Sequence, residues 1–171
     1  MPAKVYCNVE DHRLLDGKEV VEDVTKVGLP TLKHKTIEVD VAGMTMAVEI
    51  PDTTHFEAAD YSIYHNNGVN SQYLGTPGKH VHEFRTVRQR YVTKQGDIEH
   101  ESVKFRLTGA HAETQKGDVE TGSPYGSTEK YSLLRYEEEV NGKVVTIIDA
   151  MAGVIKYNGK SYTDSVQNLL K

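Results

Sequence analysis

The sequence has no tryptophan, a single cysteine and no long apolar run. With Cys7 as the only thiol, an intrachain disulfide is excluded and a reducing compartment is the simpler expectation. No stretch reaches the roughly 18 consecutive apolar residues that a membrane-spanning helix needs. The first residues, MPAKVYCNVEDHR, hold no apolar run of signal-peptide length, so the expectation is a chain made and assembled in the cytosol. Excess positive charge is also missing. The net charge of −5 argues against a nucleic-acid binder, which would carry a basic stripe. Only 37% of the 171 residues are hydrophobic. That suits one domain with long polar strands, or one that completes its core by oligomerising.

What the sequence does have is alternation. Residues 35–50 read KTIEVDVAGMTMAVEI. Ile37, Val39 and Val41, then Met44, Met46, Val48 and Ile50 alternate with Glu38, Asp40, Glu49 and small or polar residues. A period of two marks a β-hairpin with one apolar and one wet face. A two-residue turn at Ala42-Gly43 would set Val41 against Met44, Val39 against Met46 and Ile37 against Val48.

Two further hairpins follow. One returns through Lys94-Gln95-Gly96-Asp97, in a register that sets Arg90 against Glu101. Neither of its faces is uniformly apolar, so its middle is expected outside a single-domain core. The other turns at Asn141-Gly142, the strongest turn signal in the chain. Unbroken pairing about that turn would put Tyr136 with Ile147 on one face and Glu137 with Ile148 on the other. Between them, residues 115–128 (QKGDVETGSPYGST) read as an exposed loop. Residues 69–74 predict a helical turn or two. Residues 163–171 predict a short helix, capped at Thr163 or Asp164, that needs something to dock on. The fold class is mainly β: an antiparallel sandwich or partly closed barrel with one or two short helices, as one domain over 1–171.

Chemistry is sparse. His80-Val81-His82 places two imidazoles on one strand face, as β-barrel metal oxygenases of the cupin type do. Glu83 points the other way, so only His100 or His111 could complete a site. The plainer reading is two polar residues on a partly exposed strand. A cytosolic β-barrel binding a small ligand or metal through His80 and His82 is the alternative function. Cys7 and His12 lack a third orienting group. Glu137 and Glu139 read as a solvated face, with Glu138 directed away from them. No Gly-x-Ser-x-Gly, phosphate-cradling loop or zinc spacing occurs. The residues predict no catalytic, cofactor or metal site.

Several short stretches carry a resemblance. Leu29-Pro30-x-Leu32-Lys33-x-Lys35 follows a Val/Thr-rich segment and precedes Gly43-Met44. Leu14-Leu15-Asp16-Gly17 lies upstream. Gly117 and Glu129-Lys130-Tyr131-Ser132 precede Asn141-Gly142-Lys143, and Ile148-Asp149-x-Met151 leads to Val154-Ile155-Lys156-Tyr157-Asn158-Gly159. In this order, from Leu14 to Lys171, the chain resembles the major tail tube protein family of contractile phage tails and phage-tail-like bacteriocins. A type VI secretion tube is a less similar relative. The N-terminus is longer than the family pattern, and residues 1–13 read as an added arm. The Ala42-Gly43 turn is shorter than in many relatives.

The resemblance implies a structural subunit, not an enzyme and without a cofactor, whose sheets join between subunits in hexameric rings stacked into a tube. The implied partners are other copies of the chain, a sheath protein, a tape-measure protein in the lumen, a baseplate hub and a tail terminator. DNA or an effector passes through without specific binding, and no membrane is involved. The implied location is a virion tail or an extracellular tail-like particle. On this reading Glu38, Asp40 and Glu49 line the lumen, while Ile37, Val39, Val41, Met44, Met46 and Val48 pack between subunits.

Overall fold

The structure, a computed structural model, describes residues 4–68 and 70–171. The first three residues of the expected arm, and the first of the expected helical turn at 69–74, lie outside the described residues. The chain runs through β1 (Lys4–Asp16), β2 (Glu19–Val21), β3 (Val24–Gly28), β4 (His34–Val39), β5 (Val48–Phe56) and β6 (Asp60–His65). A 3-10 turn (Asn70–Gly75) leads to β7 (Lys79–Val92), β8 (Asp97–Lys116), β9 (Ser127–Val140) and β10 (Lys143–Asp149). The chain closes with β11 (Val154–Tyr157), β12 (Lys160–Ser161) and α1 (Asp164–Leu169). The fold is mainly β, with two short helical segments and no closed barrel among the described residues.

The main sheet has the order β12-β11-β10-β9-β8-β7-β1-β2. It forks at β9. Ser127 to Ser132 pair with β6, whereas Arg135 to Val140 pair with β10, and β8 runs along the other side of both halves. The fork carries β6, and β3 beside it, over one face of the long strands. Leu14, Ile63, Phe84, Leu107, Tyr131, Tyr136 and Ile148 fill the space between. Gly109 makes the crossing possible. A Cβ there would come within 2.7 Å of the Tyr61 ring and 2.9 Å of the Ser132 carbonyl oxygen.

Three registers differ from those the sequence suggests. In β4–β5 the pairs are Ile37 with Ile50 and Val39 with Val48, two residues beyond the expected register. Strand pairing ends before residue 40 and resumes at Val48, so Ala42-Gly43 sits inside a wider loop where Met44 N–H donates to the Val41 carbonyl at 3.0 Å. A shift of two leaves every side chain on its own face, because the period is two. In β7–β8, Arg88 faces Glu101 and Arg90 faces Glu99, since residues 93–96 form a four-residue turn. Arg90 still reaches Glu101 diagonally, at 3.1 Å.

The third difference changes faces. The Asn141-Gly142 turn is present, with both residues at positive φ. Beyond it a bulge at Val145 shifts the ladder by one, so that Ile148 pairs with Tyr136 and Ile147 with Glu137. The Val145 carbonyl instead accepts from Asn158 N–H at 2.7 Å. This one-residue slip carries Ile148 into the core.

The β7–β8 hairpin is also more buried than its mixed pattern suggests. Phe84, Val103 and Leu107 lie in the interior, on a strand face that also carries the buried His80 and His82 at one end and Arg88 and Arg90 towards the hairpin tip. The expected loop at 115–128 is trimmed at both ends, since β8 runs to Lys116 and β9 starts at Ser127. Residues 4–13 lie in β1, paired with β7.

Candidate assembly surfaces

The β4–β5 hairpin is a two-stranded sheet separate from the main one. It is anchored at its base, where Leu32 and Phe56 pack on the core, His34 stacks on Phe56 at 4.2 Å and Glu57 N–H donates to the Lys33 carbonyl at 2.7 Å. Beyond that base its apolar face is uncovered. Ile37 is 64% exposed and its partner Ile50 is 51% exposed, with Val48 exposed beside them. Val41, Met44 and Met46 lie in the loop at the tip, all exposed, Met46 at 71%. On the opposite face Glu38 and Glu49 stand directly across from each other, and Asp40 follows the end of β4. An isolated two-stranded hairpin gains little stability in water, and this one adds like charges on one side to bare hydrocarbon on the other.

A second surface was not legible as such in the sequence. On the sheet face turned away from the core, ion pairs run from strand to strand. Arg106 pairs with Glu83 at 3.1 Å on β7 and with Glu137 at 2.7 Å on β9. Arg135 continues the chain to Glu137 at 3.0 Å and to Asp149 on β10 at 3.1 Å. Lys104 holds Glu139 at 2.9 Å, and Arg85 holds Glu83. Four acids (Glu83, Glu137, Glu139, Asp149) meet four bases (Arg85, Lys104, Arg106, Arg135), so this wall is polar and locally neutral. Glu137 and Glu139 are thus paired, and Glu137 is buried under its arginines, not solvated as its run suggests. The row is set by two ladders, β7–β8 pairing Glu83 with Arg106 and β8–β9 pairing Arg106 with Glu137, and the second is interrupted by register shifts that no local pattern records.

The histidines are likewise placed differently from the partly exposed strand expected for them. His80 and His82 are buried, stacked on each other at 5.4 Å, and face Asp16 at the end of β1. Burial pushes the Asp16 carboxyl up, but the nearby His82 imidazole and then His80 outweigh it and hold it low. Burial keeps His82 below the usual histidine range, and it drives the Tyr61 phenol upwards so that it stays protonated. His100 and His111 do not join this group; His111 belongs to a second cluster. There Glu129, buried, is bonded by His65 at 3.2 Å, His111 at 2.8 Å and the Thr114 hydroxyl. Cys7 is exposed on β1, with its thiol 3.7 Å from the Val5 carbonyl.

The sequence matches the family model for phage tail tube protein FII over residues 12–170. The chain belongs to that family. No curated protein matches the sequence. Among solved structures, the fold is similar to a chain of the sheath–tube complex of an extracellular contractile injection system, PVC, in its extended state. That match has a TM-score of 0.49 and 11% identity, covering 75% of this chain and 87% of the other. A chain of the six-fold symmetrised baseplate of the anti-feeding prophage (AFP) matches with a TM-score of 0.45 and 8% identity, covering 75% and 90%.

As a phage tail tube protein the chain is a structural subunit and not an enzyme. The surfaces to explain are therefore those that join copies. The family match begins at residue 12, so most of the part of β1 that pairs with the outer half of β7 lies outside it.

Proposed function

We propose that this tail tube subunit assembles into hexameric rings that stack into the inner tube of a contractile phage tail or phage-tail-like particle. The observation that carries the proposal is the uncovered apolar face of β4–β5 in a chain of the tube family. A neighbouring copy covers Ile37, Val39 and Val48 on the hairpin, with Val41, Met44 and Met46 at its tip. The flexible thioethers adapt to a contact that must close around a ring. Burying this face also supplies the stability that the hairpin lacks alone.

The acids Glu38, Asp40 and Glu49 then face the bore. A wall of carboxylates holds off phosphate-bearing DNA or an acidic effector within about 8 Å, the screening length at physiological salt, so cargo slides and does not adhere. The tube length is set by a tape-measure protein in the lumen, and the tube ends meet a baseplate hub and a terminator. The sheath packs outside, against the exposed loop between β8 and β9. Assembly takes place in the host cytoplasm.

The test is pelleting. Wild-type chain, concentrated, sediments as polymer; the double substitution Ile37→Asp with Val39→Asp stays in the supernatant as folded subunit. A variant that pellets as well as wild type removes the hairpin from the assembly contact.

A further inference from the structure

We infer that Asp16, His80 and His82 form a binding site for a divalent transition-metal ion of the zinc class. The site is built by strand pairing. Asp16 ends β1 directly opposite His82 on β7, and His80 lies two residues away on the same face. Gly17 N–H donates to the Val81 carbonyl at 3.0 Å and fixes the turn that carries the carboxylate. Both imidazoles converge on one atom, Asp16 Oδ2: His80 Nδ1 at 3.2 Å and His82 Nε2 at 3.7 Å.

The hydrogen-bond partners say which nitrogens are free. His80 Nε2 lies 2.8 Å from the Thr76 carbonyl oxygen, which can only accept, so that nitrogen carries a proton. With Nε2 protonated, His80 presents Nδ1 to the carboxylate oxygen. At 3.2 Å the nitrogen and the carboxylate oxygen are held together by a positive species between them, a proton or a metal ion. His82 allows the same arrangement, because the Tyr61 hydroxyl can accept from its Nδ1–H. Its Nδ1 bonds the Tyr61 hydroxyl at 2.8 Å, and its Nε2, on a side chain with no exposed surface, has no hydrogen-bond partner. Each histidine thus ties its far nitrogen to an oxygen and presents the near one to Asp16. This is how metal-ligating histidines are held by their surroundings.

The dimensions agree. Bonds of about 2.0–2.1 Å in a tetrahedron set ligand atoms roughly 3.3 Å apart. The two distances to Oδ2 are 3.2 and 3.7 Å, and all three ligand atoms lie within 4.8 Å of one another. Asp16 is 26% exposed, which gives an ion its way in and leaves a fourth position for water. Two nitrogens and one carboxylate oxygen suit zinc or a neighbouring first-row ion and not calcium or magnesium, which prefer oxygen alone. The bound ion would clamp the β1–β2 turn to β7 and, through Thr76, to the segment after the 3-10 turn.

The test uses the full chain, stripped with a chelator and titrated with zinc chloride by calorimetry. Saturation at one ion per subunit and a raised melting temperature are expected, with both effects lost in His80→Gln and Asp16→Asn and retained in His55→Gln. Because substitutions at buried positions can unfold the chain, the wild type is also followed by nitrogen NMR of its histidine rings. Zinc should shift His80 Nδ1 and His82 Nε2 and leave the His65 and His111 rings unmoved. A His80 ring carrying both protons at neutral pH, with no saturable zinc binding, identifies a proton as the bridging charge and overturns the site. Zinc that binds equally in His80→Gln overturns it too. Neither outcome bears on pelleting, so this site and tube assembly stand or fall separately.

Discussion

Glu38 and Glu49 face each other across the β4–β5 ladder, the only directly opposed pair of acids in that hairpin among the described residues. A like-charge pair at this position weakens an isolated hairpin. Its presence on a free-standing element is accounted for if the charge serves the assembled state and not the subunit.

Glu49→Lys turns the repulsive pair into an attractive one. It should stabilise the hairpin by about 0.2–1 kcal/mol, visible as slower amide exchange at Glu38 and Ile50. If the acidic face lines the bore as proposed, tubes should still form but should now bind DNA at low salt. Failure of this variant to polymerise would place the acidic face in a contact and not in the bore.

Ile37→Asp with Val39→Asp should leave the melting temperature of the dispersed subunit within a degree or two of wild type. Both sites lie beyond the base of the hairpin, which is anchored by Leu32 and Phe56. A marked loss of stability would mean that the face already packs within its own subunit.

Gly109→Ala should be among the most damaging single-methyl additions in the chain. Its Cβ would meet the Tyr61 ring at 2.7 Å and a backbone carbonyl at 2.9 Å, and the backbone cannot swing aside. A cost of roughly 1–3 kcal/mol in chemical denaturation is expected for such overpacking. An unchanged midpoint would show that β6 does not cross the sheet there.

Glu129 gives the pH dependence. Burial alone would raise its carboxyl, but hydrogen bonds from Thr114, His111 and His65 outweigh burial and hold it below the ordinary glutamate value. A carboxyl lowered on folding contributes stability above its unfolded pKa of about 4.3, and that stability fades as pH falls through the folded value. Denaturation midpoints should therefore drop below about pH 4.3 in the wild type. Glu129→Gln should be less stable at neutral pH, by about 1–3 kcal/mol for each buried donor left unpaired, and flatter in acid. Parallel acid profiles for the two chains would remove Glu129 as the cause.

Much of this architecture is readable from local pattern. Alternation locates the 35–50 hairpin and its two faces, Asn141-Gly142 fixes the third hairpin, and the apolar spacing near the end gives the terminal helix. The registers were not readable to the residue. Sliding the β7–β8 turn by one residue, or widening the β4–β5 turn into a loop between Val39 and Val48, keeps the same alternation, because each moves the pairing by two and conserves the faces. The Val145 bulge was hidden for another reason: its cause is a carbonyl taken by Asn158, thirteen residues on, which no local pattern records. Burial of the polar face near the β7–β8 hairpin also depends on partners distant in sequence. Asp16 meets His80 and His82 only because β1 pairs with β7, and Glu83 meets Glu137 only through Arg106 on β8 between them.

Negative-stain electron microscopy of the purified, concentrated wild-type chain tests the central claim most directly. The account predicts hollow filaments or stacked rings of one uniform diameter. A chain that stays dispersed as single subunits at concentrations that expose the bare Ile37–Ile50 face to many neighbours would contradict it.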